Sequence, residues 1–267
     1  MIINIDPVAL YIPLPLIGWW PIHWYGITWL IAIFGILWYS KKIVTKETPF
    51  DKNDLDNFLF YGVLGAIIGG RLGYMFFYGI EQIIADPSSI LRIWEGGLSF
   101  HGGFIGVLIS FFIFSKKLSI SFFDLADHIA LAFPIGLGFV RIGNFLGGEL
   151  LGRPTDLPWG MIFWSDPLQI SRHPSQLYQA FFEGIILFLI LNLLVLKPKP
   201  KIFISGMFLA LYGSFRIFTE TFRMPDSHIG FDFLDIITRG QLLSIPMVVI
   251  GLILIFLSYK NKNETIS

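Results

Sequence analysis

Three arginines, Arg71, Arg141 and Arg216, lie inside apolar segments of this chain, and the last two each have a polar side chain about one helical turn away. Arg141 precedes Asn144 by three residues and Arg216 precedes Glu220 by four, so each pair would share one face of a helix. An arginine in a membrane-spanning helix costs on the order of a few kcal/mol unless it is paired, hydrated or used. Its planar guanidinium binds phosphate through two parallel hydrogen bonds. The pattern favours a phosphate-binding site, and structural ion pairs between helices are the alternative.

The elements that carry these residues are predicted from the apolar runs. Of the 267 residues, 54% are hydrophobic and 14% are charged, whereas about a quarter of the residues of a soluble domain are charged. A helix needs about 20 apolar residues to cross a bilayer. The sequence therefore predicts an all-α polytopic membrane protein, a single integral domain over 1–267. Its seven transmembrane helices are expected at 17–39, 57–79, 98–115, 122–146, 175–196, 202–222 and 240–259.

The lysines predict the orientation of these helices, since short cytoplasmic loops concentrate basic residues. With the N-terminus outside and the C-terminus in the cytoplasm, all eleven lysines fall in the cytoplasmic segments 40–56, 116–121 and 197–201 and in the tail from 260. The segment 147–174 then forms a small outward-facing head region. The arginines do not follow this rule, so orientation does not explain Arg141 and Arg216.

Five polar residues are expected at one depth, in the outer half of the membrane. They are His101, Arg141, Asn144, Arg216 and Glu220, each a few residues from the outer end of its span at about 1.5 Å per residue. Independent structural ion pairs have no reason to share a depth, so the convergence indicates a site. Glycine-dense stretches around the same residues would let helices or a bound headgroup approach the backbone closely.

Several chemistries have no support in the sequence. The chain has no cysteine, so it offers neither a thiol nucleophile nor a cysteine-based zinc site. No zinc-protease, phosphate-loop or serine-hydrolase motif is found, and no metal or organic cofactor is expected. The net charge of zero gives no reason to expect nucleic acid as a partner. The N-terminus lacks the basic start of a cleavable signal peptide.

Four motifs, in order along the chain, resemble the bacterial phosphatidylglycerol–prolipoprotein diacylglyceryl transferase family. They are HGGFIG (101–106), RIGNFLGGELLGR (141–153), RHPSQLYQAFFEG (172–184) and GSFRIFTETFR (213–223). The resemblance runs from about residue 15 to 258. Two positions depart from the family pattern: Gly147 stands where Asn is common and Gln179 stands where Glu is usual, which leaves the roles of these two positions open.

The resemblance implies a lipid transfer in the bacterial cytoplasmic membrane, with the active site towards the outer leaflet. The diacylglyceryl group of phosphatidylglycerol moves to the lipobox cysteine thiol of a prolipoprotein, a thioether forms and glycerol 1-phosphate leaves. The expected partners are phosphatidylglycerol, the lipobox segment of the prolipoprotein and the bilayer. The family fold is a seven-helix bundle with a small outward domain, in agreement with the distribution of lysines.

This chemistry suggests a role for each site residue. Arg141 and Arg216 would hold the phosphate and stabilise its growing negative charge, and His101 would take the thiol proton. The headgroup glycerol would contact Asn144, Glu149 and Tyr25, and the motif also places Gly152 in the lipid site. Glu220 would orient Arg216 across one helical turn.

The alternatives differ in what the arginines do. A cationic pocket that depresses the thiol pKa would let water or the bound phosphate take the proton in place of His101. A lipid or solute transporter would also place arginines in spans, but such folds show internal repeats and midplane sites, and neither pattern is evident here. A membrane scaffold would leave the shared depth unexplained.

Overall fold

The computed structural model describes residues 1–15, 18–225, 231–233 and 237–264 and is mostly helical. The side chains of residues 95, 100, 101, 231–233 and 261–264 lie outside the description. The helices are α1 (Trp24–Lys42), α2 (Lys52–Tyr78), α3 (Ile80–Ala85), α4 (Phe100–Lys117), α5 (Phe122–Leu146), α6 (Ser175–Gln179), a π-helix (Ala180–Ile186), α7 (Leu187–Leu194), α8 (Phe203–Glu220) and α9 (Arg239–Glu264), with 3₁₀ turns at Pro87–Leu91 and Ile93–Glu95. The strands are β1 (Ile2–Ile3), β2 (Val8–Leu14), β3 (Gly18–His23), β4 (Ile162–Phe163), β5 (Phe231–Phe233) and β6 (Ile237–Thr238).

Four helical segments are long and apolar enough to cross a membrane: Lys52–Tyr78, Phe122–Leu146, Ser175–Leu194 and Arg239–Lys260. Large hydrophobic side chains on their outer faces, such as Phe76 and Phe256, are more than half exposed. A water-soluble surface would not carry a continuous apolar coat of this kind. A mostly helical protein with membrane helices is confirmed, and the number of seven spans stays a prediction.

The expectation of an all-helical chain with a first span at 17–39 is wrong at the N-terminus. β2 and β3 form an antiparallel hairpin in which Pro13 faces Trp19 and Pro21 faces Tyr11, and helix α1 begins only at Trp24. Proline has no N–H to donate and is tolerated at the edge of a two-stranded ribbon, whereas a helix interior accepts it only at a cost of about 3 kcal/mol. The prolines therefore delay the helix, although hydropathy alone extends the apolar run across them.

The chain divides into two compact units, and residues 40–126 form one of them. Its centre is the packing of α2 on α4, where glycines bring the two backbones together. A side chain on Gly69 would overlap the carbonyl oxygen of Gly102, and one on Gly106 would overlap that of Gly65. Close backbone approach through glycine is a common way to pack helices in membranes, where no hydrophobic force drives them together.

The second unit comprises residues 1–39 and 127–267. Its buried core contains Ala130 of α5, Leu187 and Leu191 of α7, and Phe203 and Ile204 of α8. The Asp127 carboxylate accepts hydrogen bonds from the backbone N–H groups of Ile202 and Ser205, both at 2.8 Å, and thus satisfies donors at the start of α8. This packing fixes α5, α6–α7 and α8 against one another, and these helices carry most of the predicted site.

Candidate functional site

A buried carboxylate joins the two arginines that the sequence singles out. Glu183, in the π-helix, is fully buried. Its Oε2 accepts from Nε and Nη2 of Arg141 at 3.3 and 3.4 Å, and its Oε1 lies 3.6 Å from Nη1 of Arg216. Thr219 donates its hydroxyl to the same Oε1 at 3.1 Å. Arg141 and Arg216 therefore share one acidic partner, as expected if they form structural ion pairs between helices. The contacts with Glu183 do not use all the N–H donors of the two guanidinium groups.

The cluster extends to the C-terminal end of α8. Nη2 of Arg216 lies 2.9 Å from Oε2 of Glu220, one helical turn on, as the sequence predicts. Oε1 of Glu220 accepts from Nη1 of Arg223 at 3.2 Å. The five ionised groups linked in this way, Arg141, Glu183, Arg216, Glu220 and Arg223, are named the arginine cluster here. Within these five groups, Glu183 contacts Arg141 and Arg216, and Glu220 contacts Arg216 and Arg223.

Arg216 has unused hydrogen-bonding capacity. Its Nη1 is buried and has no hydrogen-bond partner within the described part of the chain, because 3.6 Å to Glu183 exceeds hydrogen-bonding distance. A buried polar group without a partner costs about 1–3 kcal/mol, and more if charged. The arrangement suits a negatively charged ligand that brings its own oxygen atoms.

The π-helix Ala180–Ile186 interrupts the helix that runs from Ser175 to Leu194. Single turns of π-helix are rare and often occur at functional sites. Next to it, Gly184 packs on Gly138 of α5, where an added Cβ would lie 2.8 Å from the Gly138 Cα. This close approach holds Glu183 against the face of α5 that carries Arg141.

The predicted headgroup residues lie near the C-terminal end of α5, about one helical turn after Arg141. The side chain of Asn144 donates from Nδ2 to Oε2 of Glu149 at 3.0 Å. Glu149 and Tyr25 line one open cavity of about 500 Å³, together with other residues of 21–30. Asn144, Glu149 and Tyr25 are therefore brought together, and Asn144 connects this cavity to Arg141 through the shared face of α5.

Three buried amide side chains near these residues keep polar atoms without a partner. Both polar atoms of Gln179, Oε1 of Gln176 and Oδ1 of Asn144 are buried, and none has a hydrogen-bond partner among the residues described. Gln176 donates its Nε2 to the backbone oxygen of Glu149. Most buried polar groups in native proteins are bonded, so three neighbouring exceptions indicate a place for a polar ligand.

Gly152 lies in the head region, at a point where three chain segments meet. It pairs with Arg223 in an isolated antiparallel bridge, and its carbonyl oxygen accepts from Nη1 of Arg172 at 3.2 Å. A Cβ at this position would overlap the carbonyl oxygen of His173. These contacts require glycine for close packing, and the binding of lipid by Gly152 stays a prediction.

The head region is held by a buried ion pair. Arg172 donates to both carboxylate oxygens of Asp166, at 2.7 and 2.9 Å. These bonds lower the pKa of the Asp166 carboxyl below its ordinary value. Burial lowers the pKa of His173, whose Nδ1 lies 3.2 Å from the Tyr178 hydroxyl. The His173 ring also packs edge-on against Tyr178 and Phe222, so His173 belongs to an aromatic contact.

The unit formed by residues 40–126 contains the remaining predicted site residue and a contrasting arginine. His101 lies in the first turn of α4, and its side chain is outside the described residues, so its role as a base stays a prediction. Arg71 of α2 is buried. It donates to the backbone oxygens of Ile90 at 3.1 Å, Ser89 at 2.6 Å and Gly96, so this arginine holds a loop.

Sequence reasoning missed Glu183, Gln176 and Gln179. Glu183 stands in an apolar run 42 residues after Arg141 and 33 before Arg216, so no local spacing links it to either arginine. A carboxylate in a membrane span is as costly as an arginine. A search for acidic partners of Arg141 and Arg216 on other spans would have found it.

Comparison with known proteins gives one consistent result. The sequence pattern of a family described as prolipoprotein diacylglyceryl transferase matches residues 12–257. A curated relative from Pseudomonas syringae pv. syringae (strain B728a) is 48% identical over 260 residues, covering 96% of this chain and 94% of the relative. Relatives from Ectopseudomonas mendocina (47% over 260 residues) and Pseudomonas putida strain KT2440 (48% over 262 residues) each cover 97% of this chain and 96% of their own length. All three are named phosphatidylglycerol–prolipoprotein diacylglyceryl transferase.

Proposed function

The chain belongs to the prolipoprotein diacylglyceryl transferase family, and we propose that its arginine cluster holds the phosphate of phosphatidylglycerol during transfer to a prolipoprotein. The diacylglyceryl group moves to the lipobox cysteine and glycerol 1-phosphate is released. The observation that carries this proposal is the shared carboxylate. Glu183 holds Arg141 and Arg216 side by side, while Nη1 of Arg216 keeps no hydrogen-bond partner among the described residues.

The charges change during the reaction in the direction that the cluster favours. The thiolate sulfur attacks an sp³ carbon of the diacylglyceryl group, an S–C bond forms and the C–O bond to phosphate breaks with its electrons on oxygen. The phosphate diester, with one negative charge, becomes a monoester that carries a second one. Preorganised guanidinium groups in a water-poor layer stabilise charge that develops in this way.

The two carboxylates have positioning roles in this scheme. Glu183 fixes the separation of the two guanidinium groups, and Glu220 holds the guanidinium of Arg216 from one turn further along α8. The carboxylates do not touch the reacting atoms. Asn144, Glu149 and Tyr25 are assigned to the headgroup because they adjoin the cluster through α5 and line the cavity beside it.

His101 is assigned to the thiol proton. An imidazole has a reference pKa of about 6.5 and a thiol of about 8.5, so a neutral histidine can accept this proton near neutral pH. Replacing His101 with Gln is expected to reduce turnover about 100-fold, with a flattened pH profile between pH 6 and 8. Full activity in this variant would transfer the base role to water or to the bound phosphate.

The same proposal includes the topology. Seven spans, with the N-terminus outside and the C-terminus in the cytoplasm of a bacterial cell, would place the cluster near the outer leaflet, where an exported prolipoprotein presents its cysteine. All eleven lysines on the cytoplasmic side support it. Labelling of single introduced cysteines at residue 46 or 156 from either side of the membrane tests it, since residue 156 alone should react from outside.

The decisive test uses the purified full-length protein, phosphatidylglycerol vesicles and a lipobox peptide. The expected result is a peptide mass gain of one diacylglyceryl group with an equal amount of glycerol 1-phosphate released. A peptide with serine in place of its cysteine is the control and should remain unmodified. Absence of transfer together with movement of a lipid or solute across the vesicle membrane would favour a transporter and overturn the proposal.

A further inference from the structure

Three buried amide side chains beside the arginine cluster carry an inference that rests on the proposed function. We propose that Gln179, together with Gln176 and Asn144, binds the two hydroxyl groups of the glycerol headgroup of phosphatidylglycerol. These residues would then determine which phospholipid headgroup the protein accepts. Gln179 and Gln176 are fully buried and Asn144 is 4% exposed, so a ligand that reaches them is enclosed by protein.

The helix geometry places Gln179 between a contact to Arg141 of α5 and a contact to Glu149, which follows α5. Gln176, Gln179 and Glu183 follow one another at spacings of three and four residues and so share one helix face. At one end of this row Glu183 binds Arg141, and at the other end Gln176 binds the residue that Asn144 also binds, Glu149. A headgroup whose phosphate lies at Arg141 would therefore extend its glycerol along Gln179.

The orientation of two of the amides follows from chemistry. Nδ2 of Asn144 donates to the Glu149 carboxylate and Nε2 of Gln176 donates to the Glu149 carbonyl. Because both partners accept only, each amide must present its N–H₂ group to Glu149. Oδ1 of Asn144 and Oε1 of Gln176 are then left as acceptors, and neither has a partner in the described ranges.

These free groups complement a vicinal diol. The diol offers two O–H donors, which match the two free carbonyl oxygens. Its hydroxyl oxygens also accept hydrogen bonds, and the Gln179 amide supplies donors and a further acceptor. A purely structural reading does not account for Gln179, because an unbonded amide in a protein interior only destabilises the fold, and an apolar side chain of similar shape would be neutral or better.

The test compares two phosphate monoesters of equal charge, glycerol 1-phosphate and methyl phosphate, of which only the first carries the diol. Their binding to the detergent-solubilised full-length protein is measured by titration with ³¹P NMR, so that inactive variants remain informative. The wild-type protein is expected to prefer glycerol 1-phosphate. Gln179→Met is expected to reduce that preference about five- to tenfold, which corresponds to about one hydrogen bond, and to leave the dissociation constant of methyl phosphate within about twofold.

Thermal unfolding of the same variant without ligand separates recognition from folding. Since Met removes the unbonded amide, the melting temperature should stay the same or rise. Gln179→Asn keeps an amide but withdraws it by one methylene group, and the same loss of preference is expected in that variant. Gln82→Met, at an exposed position of α3, is the matched control and should keep the wild-type preference.

The outcomes distinguish the inference from the proposed function. If the wild-type protein transfers diacylglycerol to the lipobox peptide but both Gln179 variants keep the full preference for glycerol 1-phosphate, the headgroup subsite is refuted and the proposed function stands. An equal loss of both esters in Gln179→Met and Gln179→Asn also refutes it, because that result indicates a structural role. Absence of transfer by the wild-type protein overturns both.

Discussion

Arg71 and Arg141 both lie on apolar helices, yet their surroundings differ in kind. Arg71, in the unit formed by residues 40–126, donates to backbone carbonyls of Ser89, Ile90 and Gly96. Arg141, in the other unit, meets a side-chain carboxylate that it shares with Arg216. Neutral carbonyls satisfy a guanidinium without cancelling its charge, and they close its donors to any ligand. A shared carboxylate leaves charge and donors for a substrate.

An arginine in a membrane helix is therefore not in itself a sign of function. What distinguishes the two cases is the ratio of donors to acceptors around the guanidinium. Arg71 serves a loop whose carbonyls would otherwise lack partners. In the arginine cluster, Nη1 of Arg216 keeps a donor that no described residue accepts. The following variants test this distinction, in order of decreasing expected effect.

Arg216→Lys keeps the positive charge of the cluster but removes the planar fork and the free Nη1. We expect turnover to fall about 100-fold or more, because the loss of one well-placed donor to a developing anion costs about 10²–10³ in rate. The measurement is diacylglyceryl transfer to the lipobox peptide per folded molecule. Turnover within about threefold of the wild type would show that the fork of Arg216 does not bind the phosphate.

Glu183→Gln removes the shared charge and keeps the size of the side chain. Loss of one partner from a buried ion pair costs about 3–5 kcal/mol, since it leaves a buried charge uncompensated. We expect the melting temperature of the lipid-free protein to drop, and phosphatidylglycerol to restore more stability in the variant than in the wild type, because its phosphate replaces the missing carboxylate.

The control for Glu183→Gln is Glu81→Gln, which changes an exposed carboxylate of α3. This variant should melt as the wild type does, with and without lipid. If phosphatidylglycerol stabilises Glu183→Gln no more than it stabilises the wild type, the phosphate does not lie at the arginine cluster.

Arg71→Lys is expected to act on stability. A single ammonium cannot reach the carbonyls of Ser89, Ile90 and Gly96 together, so at least one buried acceptor loses its donor at a cost of about 1–3 kcal/mol. The measurement is thermal unfolding, read beside transfer activity per folded molecule. A wild-type melting temperature combined with a large loss of turnover would reverse the roles assigned to the two kinds of arginine.

Asp166→Asn tests the head region through pH. The bonds from Arg172 lower the pKa of Asp166, so the stabilisation is present above the unfolded pKa of about 3.9 and is lost as the pH falls through the lower folded value. We expect Asp166→Asn to melt below the wild type at pH 7 and the difference to shrink as the pH falls below 4. A constant difference across this range would contradict the assignment.

Some of this molecule is predictable from its sequence, for reasons that lie in the bilayer. Apolar length predicts membrane helices such as α2 and α5, since each must cover the hydrocarbon. The pairs Arg141–Asn144 and Arg216–Glu220 are visible because helix spacing is local. Arg216 and Glu220 form an ion pair at 2.9 Å, and Asn144 donates to Glu149, which lines a cavity with Tyr25. The roles of these residues stay predictions.

The rest depends on contacts that spacing does not encode. Glu183 reaches its partners across helices, and the π-helix that presents it has no local signal in the sequence AFFEGII. The hairpin of Val8–Leu14 with Gly18–His23 is not predicted, because its residues are apolar and hydropathy alone assigns part of them to a membrane span. Arg71 looks the same as Arg141 in the sequence, and only the carbonyls around it reveal its structural role.

The central claim is that the arginine cluster binds the lipid phosphate and that Arg71 does not. The most direct test is transfer by Arg141→Lys and Arg71→Lys, measured side by side on folded protein with phosphatidylglycerol and the lipobox peptide. Both variants keep the charge and lose the fork. The account predicts a loss of about 100-fold or more for Arg141→Lys and a change within about threefold for Arg71→Lys. Wild-type turnover in Arg141→Lys, or equal losses in both variants, would contradict it.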